Sequence, residues 1–261
     1  MKALSTAATG MLAQQLNIEV ISNNVANLNT TGFKRQRAEF QDLLYQNVER
    51  VGANSSDAGT VVPSGIQVGV GVRAAGVYRI TDQGSLQNTA NTFDLAVNGR
   101  GFFNIQLPDG QDAFTRAGSF QIDPTGQLVT PQGYVVQPAI VIPNTATDVT
   151  INEQGQVEYQ EDGATVPTVA GTINLVTFAN EVGLEAIGGS LFLESQASGA
   201  PVVSTPGQPG FGTVLQGFLE QSNVNAVSEI TAMISAQRAY ELNSQVIQTA
   251  DEMLQAAGNL R

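Results

Sequence analysis

The 261-residue chain has no cysteine, no histidine and no tryptophan. Without cysteine there are no disulfides, no thiolate nucleophile and no thiolate metal ligands. Without histidine the usual zinc sets and the one side chain that titrates near neutrality are gone as well. Any catalysis would rest on carboxylates, lysine, serine, threonine or tyrosine. Lysine is scarce too, and none follows Lys34. No apolar run approaches the ~20 residues that span a bilayer. A cleaved leader is not expected, because Gln14, Gln15 and Asn17 interrupt the apolar stretch behind Lys2.

What is present is a globular composition: 42% hydrophobic residues, 13% charged, and 27 glycines that point to many turns and small-side-chain β-structure. The net charge is −12, unevenly placed. Residues 1–50 carry five basic and four acidic side chains, a balance of +1, which leaves −13 for the other 211 residues. Nucleic-acid binding needs basic surface to release counterions from phosphates, so this balance argues against it.

The two ends share a pattern. Leu4, Met11, Ile18 and Val25 form one ladder of apolar residues spaced by seven, and Met233, Tyr240, Ile247 and Leu254 form another. A strict period of seven makes a narrow helical seam, which is buried only against another seam. The first helix is expected over Ala3–Ala26, roughly 36 Å long, with Asn27, Asn29 and Gly32 as its stop signal. The last is expected from a cap within Ser222–Asn225 to about Gly258, with Glu229 favourably placed near its positive end. Beside the second ladder runs a stripe of small or polar residues, Ala236, Asn243, Ala250 and Ala257, which permits close helix approach.

The centre reads as antiparallel β-structure. Strands at 101–107 and 112–116 flank Pro108-Asp109-Gly110, and Asp123-Pro124-Thr125-Gly126 and Pro131-Gln132-Gly133 continue the meander. Ile122-Asp123-x-x-Gly126-Gln127-Leu128 returns 29 positions later as Ile151-Asn152-x-x-Gly155-Gln156-Val157, which two hairpins with one turn design would explain. Further strands are expected at 172–178 and 190–194, with Pro201, Pro206 and Pro209 marking the exit. Residues 33–45 suit a short helix or an extended arm, and 46–66 read as a Gly/Ser/Asn-rich loop. The expectation is an α+β chain: a helix over 1–32, a linker and arm over 33–85, a β-domain over 86–219 and a helix over 220–261, the end helices forming a coiled-coil-type domain.

Candidate chemistry is sparse. Gly69-Val70-Gly71 and Gly99-Arg100-Gly101 do not continue into a phosphate-binding fingerprint. Asp94, Asp109, Asp123 and Asp162 would be the carboxylates of a glycosidase, but three of the four sit in turn sequences where Asp serves the backbone. Arg100 and Arg116 read as surface or interface cations, and Tyr240 as a packing residue. No catalytic, cofactor-binding or metal-binding residue is assigned, and no cofactor is expected. The competing class, a secreted carboxylate-dependent enzyme or sugar-binding β-protein, lacks any cluster of polar and aromatic site residues.

The end segments carry a specific resemblance. SNNVANLNTTGFKRQRAEF, residues 22–40, and SNVNAVSEITAMISAQRAYELNSQVIQTADEML, residues 222–254, resemble the terminal signatures of the bacterial flagellar rod and hook axial proteins. FDLAVNGRGFF (93–103) and FTRAGSFQIDPTGQLVTPQGYVVQP (114–138) are similar to the β-domain of that family. The matching family positions are Asn24, Ala26, Asn27, Gly32 and Phe33 at one end and Asn223, Asn225, Gln237, Arg238 and Tyr240 at the other. By length and by the stretch at 46–66, the resemblance is to the distal-rod type; a proximal-rod paralogue with a β-domain and a hook-type subunit share the same end motifs. The resemblance implies a non-enzymatic subunit that polymerises with itself into a tubular drive shaft for torque, with its helices in the inner tube. It also implies that 46–66, with Pro63 and Gly65, becomes a stiffening arm. Implied partners are proximal rod subunits, hook-side subunits, the surrounding P- and L-rings and the flagellar export apparatus, with neither nucleic acid nor membrane insertion. The implied location is the basal body, across the periplasm to the outer membrane, after export without a cleaved signal peptide.

Overall fold

A computed structural model describes residues 2–49, 65–163 and 166–259. The chain divides into two compact units, each built from discontinuous segments: 1–25, 36–78 and 226–261 form one, and 26–35 with 79–225 form the other. Residues 26–35, 79–85 and 220–225 therefore belong with the β-rich unit.

The first unit holds α1 (Lys2–Ala26), β1 (Gln36–Asp42), β2 (Tyr45–Glu49), β3 (Ile66–Gly69), β4 (Val72–Arg79) and, at the end of the chain, α2 (Ala226–Asn259). The helices lie close to the expected bounds. Residues 36–42 take the extended alternative, as β1 paired with β4 in a two-stranded sheet. The segment read as a loop begins and ends in order: β2 and β3 pair antiparallel, Tyr45 opposite Gly69 and Gln46 opposite Val68. Its middle, including Pro63, lies outside the described residues; Gly65 is partly exposed.

The second unit contains β5 (Leu86–Asn88), β6 (Leu95–Asn98), β7 (Phe102–Gln106), β8 (Asp112–Thr115), β9 (Gln121–Ile122), β10 (Leu128–Val129), β11 (Val135–Gln137), β12 (Ala146–Ile151), β13 (Gln156–Glu161), β14 (Thr168–Thr172), β15 (Leu175–Thr177), β16 (Glu185–Gly188), β17 (Leu191–Leu193), β18 (Val202–Ser204), β19 (Thr213–Gln216) and β20 (Phe218–Glu220). Nine strands make one sheet in the order β16-β17-β8-β7-β11-β10-β9, with β15 added at β7 and β18 at β15. A three-stranded sheet β12-β13-β14 and the pairs β19-β6 and β20-β5 complete it. Its pairings are antiparallel.

Antiparallel strands can be joined by tight turns, and the chain repeats one design. In Leu107–Gln111, Asp123–Gln127, Thr130–Tyr134 and Asn152–Gln156 the first N–H donates to the fifth carbonyl and the fourth N–H to the first. The fourth residue is a glycine at positive φ each time, Gly110, Gly126, Gly133 and Gly155, where other residues are strained. The sequence echo is thus a turn repeat: Asp123 Oδ1 accepts from the N–H groups of Thr125 and Gln127, and Asn152 Oδ1 from those of Gln154 and Gln156.

Strand β7 places the core. Its side chains alternate between faces, so Phe103 and Ile105 enter a large cluster with Phe120, Ile173 and Leu175, while Phe102 enters a second with Phe114, Phe178 and Phe192. Both clusters use edge-to-face rings, such as Phe103–Phe120 at 5.1 Å and Phe114–Phe178 at 4.8 Å between centroids. The sheet is covered on both sides along β7.

Candidate assembly site

Two contacts set the helix pairing in the first unit. A Cβ on Gly10 would lie 3.0 Å from Asn243 Nδ2, and Asn24 Nδ2 donates to Glu229 Oε2 at 3.0 Å. The residue numbers of each pair add to the same value, so the helices run antiparallel in a constant register. The two contacts are 14 residues apart on either helix, or about 21 Å.

The buried seam combines alanines with a few larger residues. On α2 it comprises Glu229, Ala236 and Ala250 with half-buried Asn243 between them; on α1 it comprises Ala7, Ala13, Val20, Ile21 and Asn24. Ala257 has no described side chain. The ladders flank this seam: Leu4, Met11, Ile18, Val25, Met233 and Ile247 are half-buried, while Tyr240 and Leu254 are exposed. The ladder residues therefore stand at the rim of the seam and not at its centre. Val227, Ile230, Ile234, Leu242, Val246 and Met253 are also exposed; at 100° per residue the first four lie on the side of α2 away from Ala236, and Val246 and Met253 lie on its flank.

Asn24 makes the densest polar contact of this unit. Its carboxamide pairs with Gln36 as a strand would, donating to the Gln36 carbonyl at 2.8 Å and accepting from the Gln36 N–H at 2.8 Å. Its second N–H holds Glu229, which is 1% exposed. Glu229 therefore serves as a buried hydrogen-bonding partner, beyond its expected effect at the helix terminus. Nearby, Thr9 Oγ1 accepts from the N–H of Val72 at 3.3 Å, and Gly71, at φ +130°, leaves no room for a side chain against Thr9. The β2-β3 ribbon offers Leu44, Tyr45, Val48 and Ile66 to solvent.

Gly32 and Asn223, two of the family positions in the β-rich unit, tie distant segments of it together. Gly32 (φ +66°) donates its N–H to the Glu220 carbonyl at 2.8 Å. Asn223 Oδ1 accepts from the Arg35 N–H at 2.7 Å, and its Nδ2 donates to the carbonyls of Ile80 and Asp82. Asn27 Oδ1 accepts from the Thr30 hydroxyl, and Phe33 is half-buried. Ala26, Asn225, Gln237 and Arg238 are exposed.

Beneath them lies a buried ionic group that sequence reading missed. Lys34 Nζ donates to Glu220 Oε1 at 2.6 Å and to the Asp82 carbonyl, and Glu220 Oε1 also accepts from the Gly84 N–H. Arg116 Nη1 lies 3.4 Å from Glu220 Oε2, Nη2 donates to the Gly99 carbonyl at 2.7 Å, and the guanidinium stands 5.4 Å from the Phe102 ring centre. Arg116 is therefore no surface cation: its side chain is 3% exposed and that of Glu220 is fully buried. Arg100 does make the expected exposed pair, with Glu181 at 3.0 Å. Burial pushes the Lys34 ammonium below its ordinary value, opposed by the Glu220 charge and hydrogen bond, and lowers Arg116 for the same reason. The available signal was Glu220 itself, a charge directly after the apolar pair Phe218-Leu219.

Three family descriptions match the chain. Residues 4–34 match "Flagella basal body rod protein", 96–159 match "Flagellar hook protein FlgE/F/G D1 domain", and 215–260 match "Flagellar basal body rod FlgEFG protein C-terminal". Among curated relatives, the flagellar basal-body rod protein FlgG of Caulobacter vibrioides is 60% identical over 261 residues, all of both chains. The protein of that name from Agrobacterium fabrum is 51% identical over 97% of each chain. That from Bacillus subtilis is 40% identical over 100% of this chain and 99% of its own.

Proposed function

This chain belongs to the flagellar basal-body rod protein family, and we propose that it polymerises through its paired end helices into the distal rod, a rigid shaft carrying torque from motor to hook. It is a structural protein of the basal body and not an enzyme. The observation that supports helix-borne assembly is the state of α2, which buries Glu229, Ala236 and Ala250 and leaves Val227, Ile230, Ile234 and Leu242 exposed on its other side. Water-exposed faces of this extent mark interaction sites.

In this reading the ladder residues Leu4, Met11, Ile18, Val25, Met233, Tyr240, Ile247 and Leu254, together with the outer face of α2, pack between neighbouring copies. The β-rich unit forms the outer wall. The ribbon at 45–49 and 66–69, with the residues between it that include Pro63, acts as the stiffening arm; an isolated two-stranded ribbon is marginal in water and gains most from a neighbour. Proximal rod subunits, hook-side subunits, the P- and L-rings and the export apparatus are its proposed partners, in the periplasm up to the outer membrane.

The test is polymerisation of full-length chains carrying Met233→Asp, Ile18→Asp or Ile234→Asp, read by sedimentation and electron microscopy. Circular dichroism serves as the check that the β-rich unit stays folded. Each charge at a subunit contact should abolish filaments at wild-type concentrations. Filaments of normal length from all three variants would sink the model. A truncation aimed at the same question should end at Asn225, because Ser222, Asn223 and Val224 belong to the β-rich unit.

A further inference from the structure

The β-rich unit has two separable layers of stabilisation. Its hydrophobic clusters draw on residues between Phe93 and Phe211, extended only to Val214 in β19. No residue from 26–35 or from 218–225 contributes to them among the described residues. The base is instead polar: Lys34, Asp82, Gly84, Arg116, Glu220 and Asn223, brought from four distant parts of the chain.

We propose that the Lys34–Glu220–Arg116 group is a completion lock, holding this edge of the β-rich unit open until residue 220 arrives and then closing it. Lys34 stands eight residues beyond the end of α1, and Glu220 six residues before the start of α2. The two are 186 residues apart. A chain delivered from its N-terminus can form the clusters between Phe93 and Val214 while Lys34 and Arg116 still lack the carboxylate that touches them, the more distant Glu181 being paired with Arg100. Two cations with side chains only 3% exposed cannot be buried together without a counter-charge, since an unpaired buried charge costs more than the packing around it returns. Both must stay hydrated, and so the base must stay open. When Glu220 docks, its carboxylate takes Lys34, the Gly84 N–H and Arg116, while its backbone carbonyl takes the Gly32 N–H. Strand β20 then pairs with β5, and the Gln221 N–H reaches the Ser85 carbonyl. The lowered values of Lys34 and Arg116 agree with cations held against their hydration preference. The β-rich unit so built is complete only once its last strand is in place.

Hydrogen exchange followed by mass spectrometry on the full-length monomer tests this, comparing wild type, Glu220→Gln and the charge-free triple variant Lys34→Met/Arg116→Met/Glu220→Leu. Glu220→Gln should speed exchange at least tenfold in peptides covering 26–35, 80–88 and 218–224. Peptides of β7, β8, β12 and β13 should keep wild-type rates. The triple variant should bring the base back to within a few-fold of wild type, because no buried charge then needs a partner. The proposal is overturned by unchanged exchange at the base in Glu220→Gln. It is equally overturned by loss of protection in core and base together, including outright unfolding, or by a triple variant as open as Glu220→Gln.

Discussion

Asn24 on α1 and Glu229 on α2 meet at 3.0 Å across 205 residues of sequence, and the same carboxamide closes a strand-like pair with Gln36. One buried side chain thus ties the two helices and the start of β1 together.

Asn24→Ala removes three hydrogen bonds, one of them to a buried carboxylate. The expected loss is about 2 to 4 kcal/mol of stability in the helical unit. Urea unfolding of the monomer, followed by the helical signal at 222 nm, measures it; a loss below about 0.5 kcal/mol would mean the contact contributes nothing net.

Gly10 tests the close approach of the helices. A Cβ there meets the carboxamide of Asn243 at 3.0 to 3.2 Å, the far end of a side chain that can turn away, while alanine gains about 1 kcal/mol of helix propensity. Gly10→Ala should therefore be near neutral. Gly10→Leu overfills the seam and should cost roughly 1 to 3 kcal/mol, most of it recovered in Gly10→Leu/Asn243→Ala. Equal losses in the single and double variants would place the strain elsewhere.

Asp123 gives a pH test. Hydrogen bonds from the Thr125 hydroxyl, and after it the Gln127 N–H, hold its carboxyl below the ordinary 3.8. A depressed acid stabilises the fold fully above its unfolded value and loses that stabilisation as pH falls through the folded value. In Asp123→Asn the acceptor remains, as Asn152 shows in the twin turn, but the titration is gone. The melting temperature of wild type should fall more steeply than that of the variant between about pH 4 and pH 2. Parallel curves would show that the turn does not depend on the charge.

Local signals were legible because each acts within a few residues. The helix bounds came from apolar spacing, and the hairpins came from Asp, Asn or Pro followed by a glycine that alone accepts positive φ. Residues 26–35 were not legible as part of the β-rich unit. Their Asn, Thr and Gly suit any helix stop, and what assigns them is Gly32 and Lys34 meeting Glu220 nearly two hundred residues later. The choice of seam on α2 was equally hidden. Large residues dominate a periodicity pattern, whereas the distance between two backbones decides whether Met233 or Ala236 is the residue fully buried.

The sequence by itself determined the end helices, the antiparallel turns and the family, since propensity, periodicity and motif order are all written along the chain. Only the tertiary structure decided which residues form the seam, how Asn24 and Glu229 pair, and that Lys34, Arg116 and Glu220 share one buried site. Those outcomes depend on burial, and a charge becomes structural only when folding removes its water and replaces it with fixed partners.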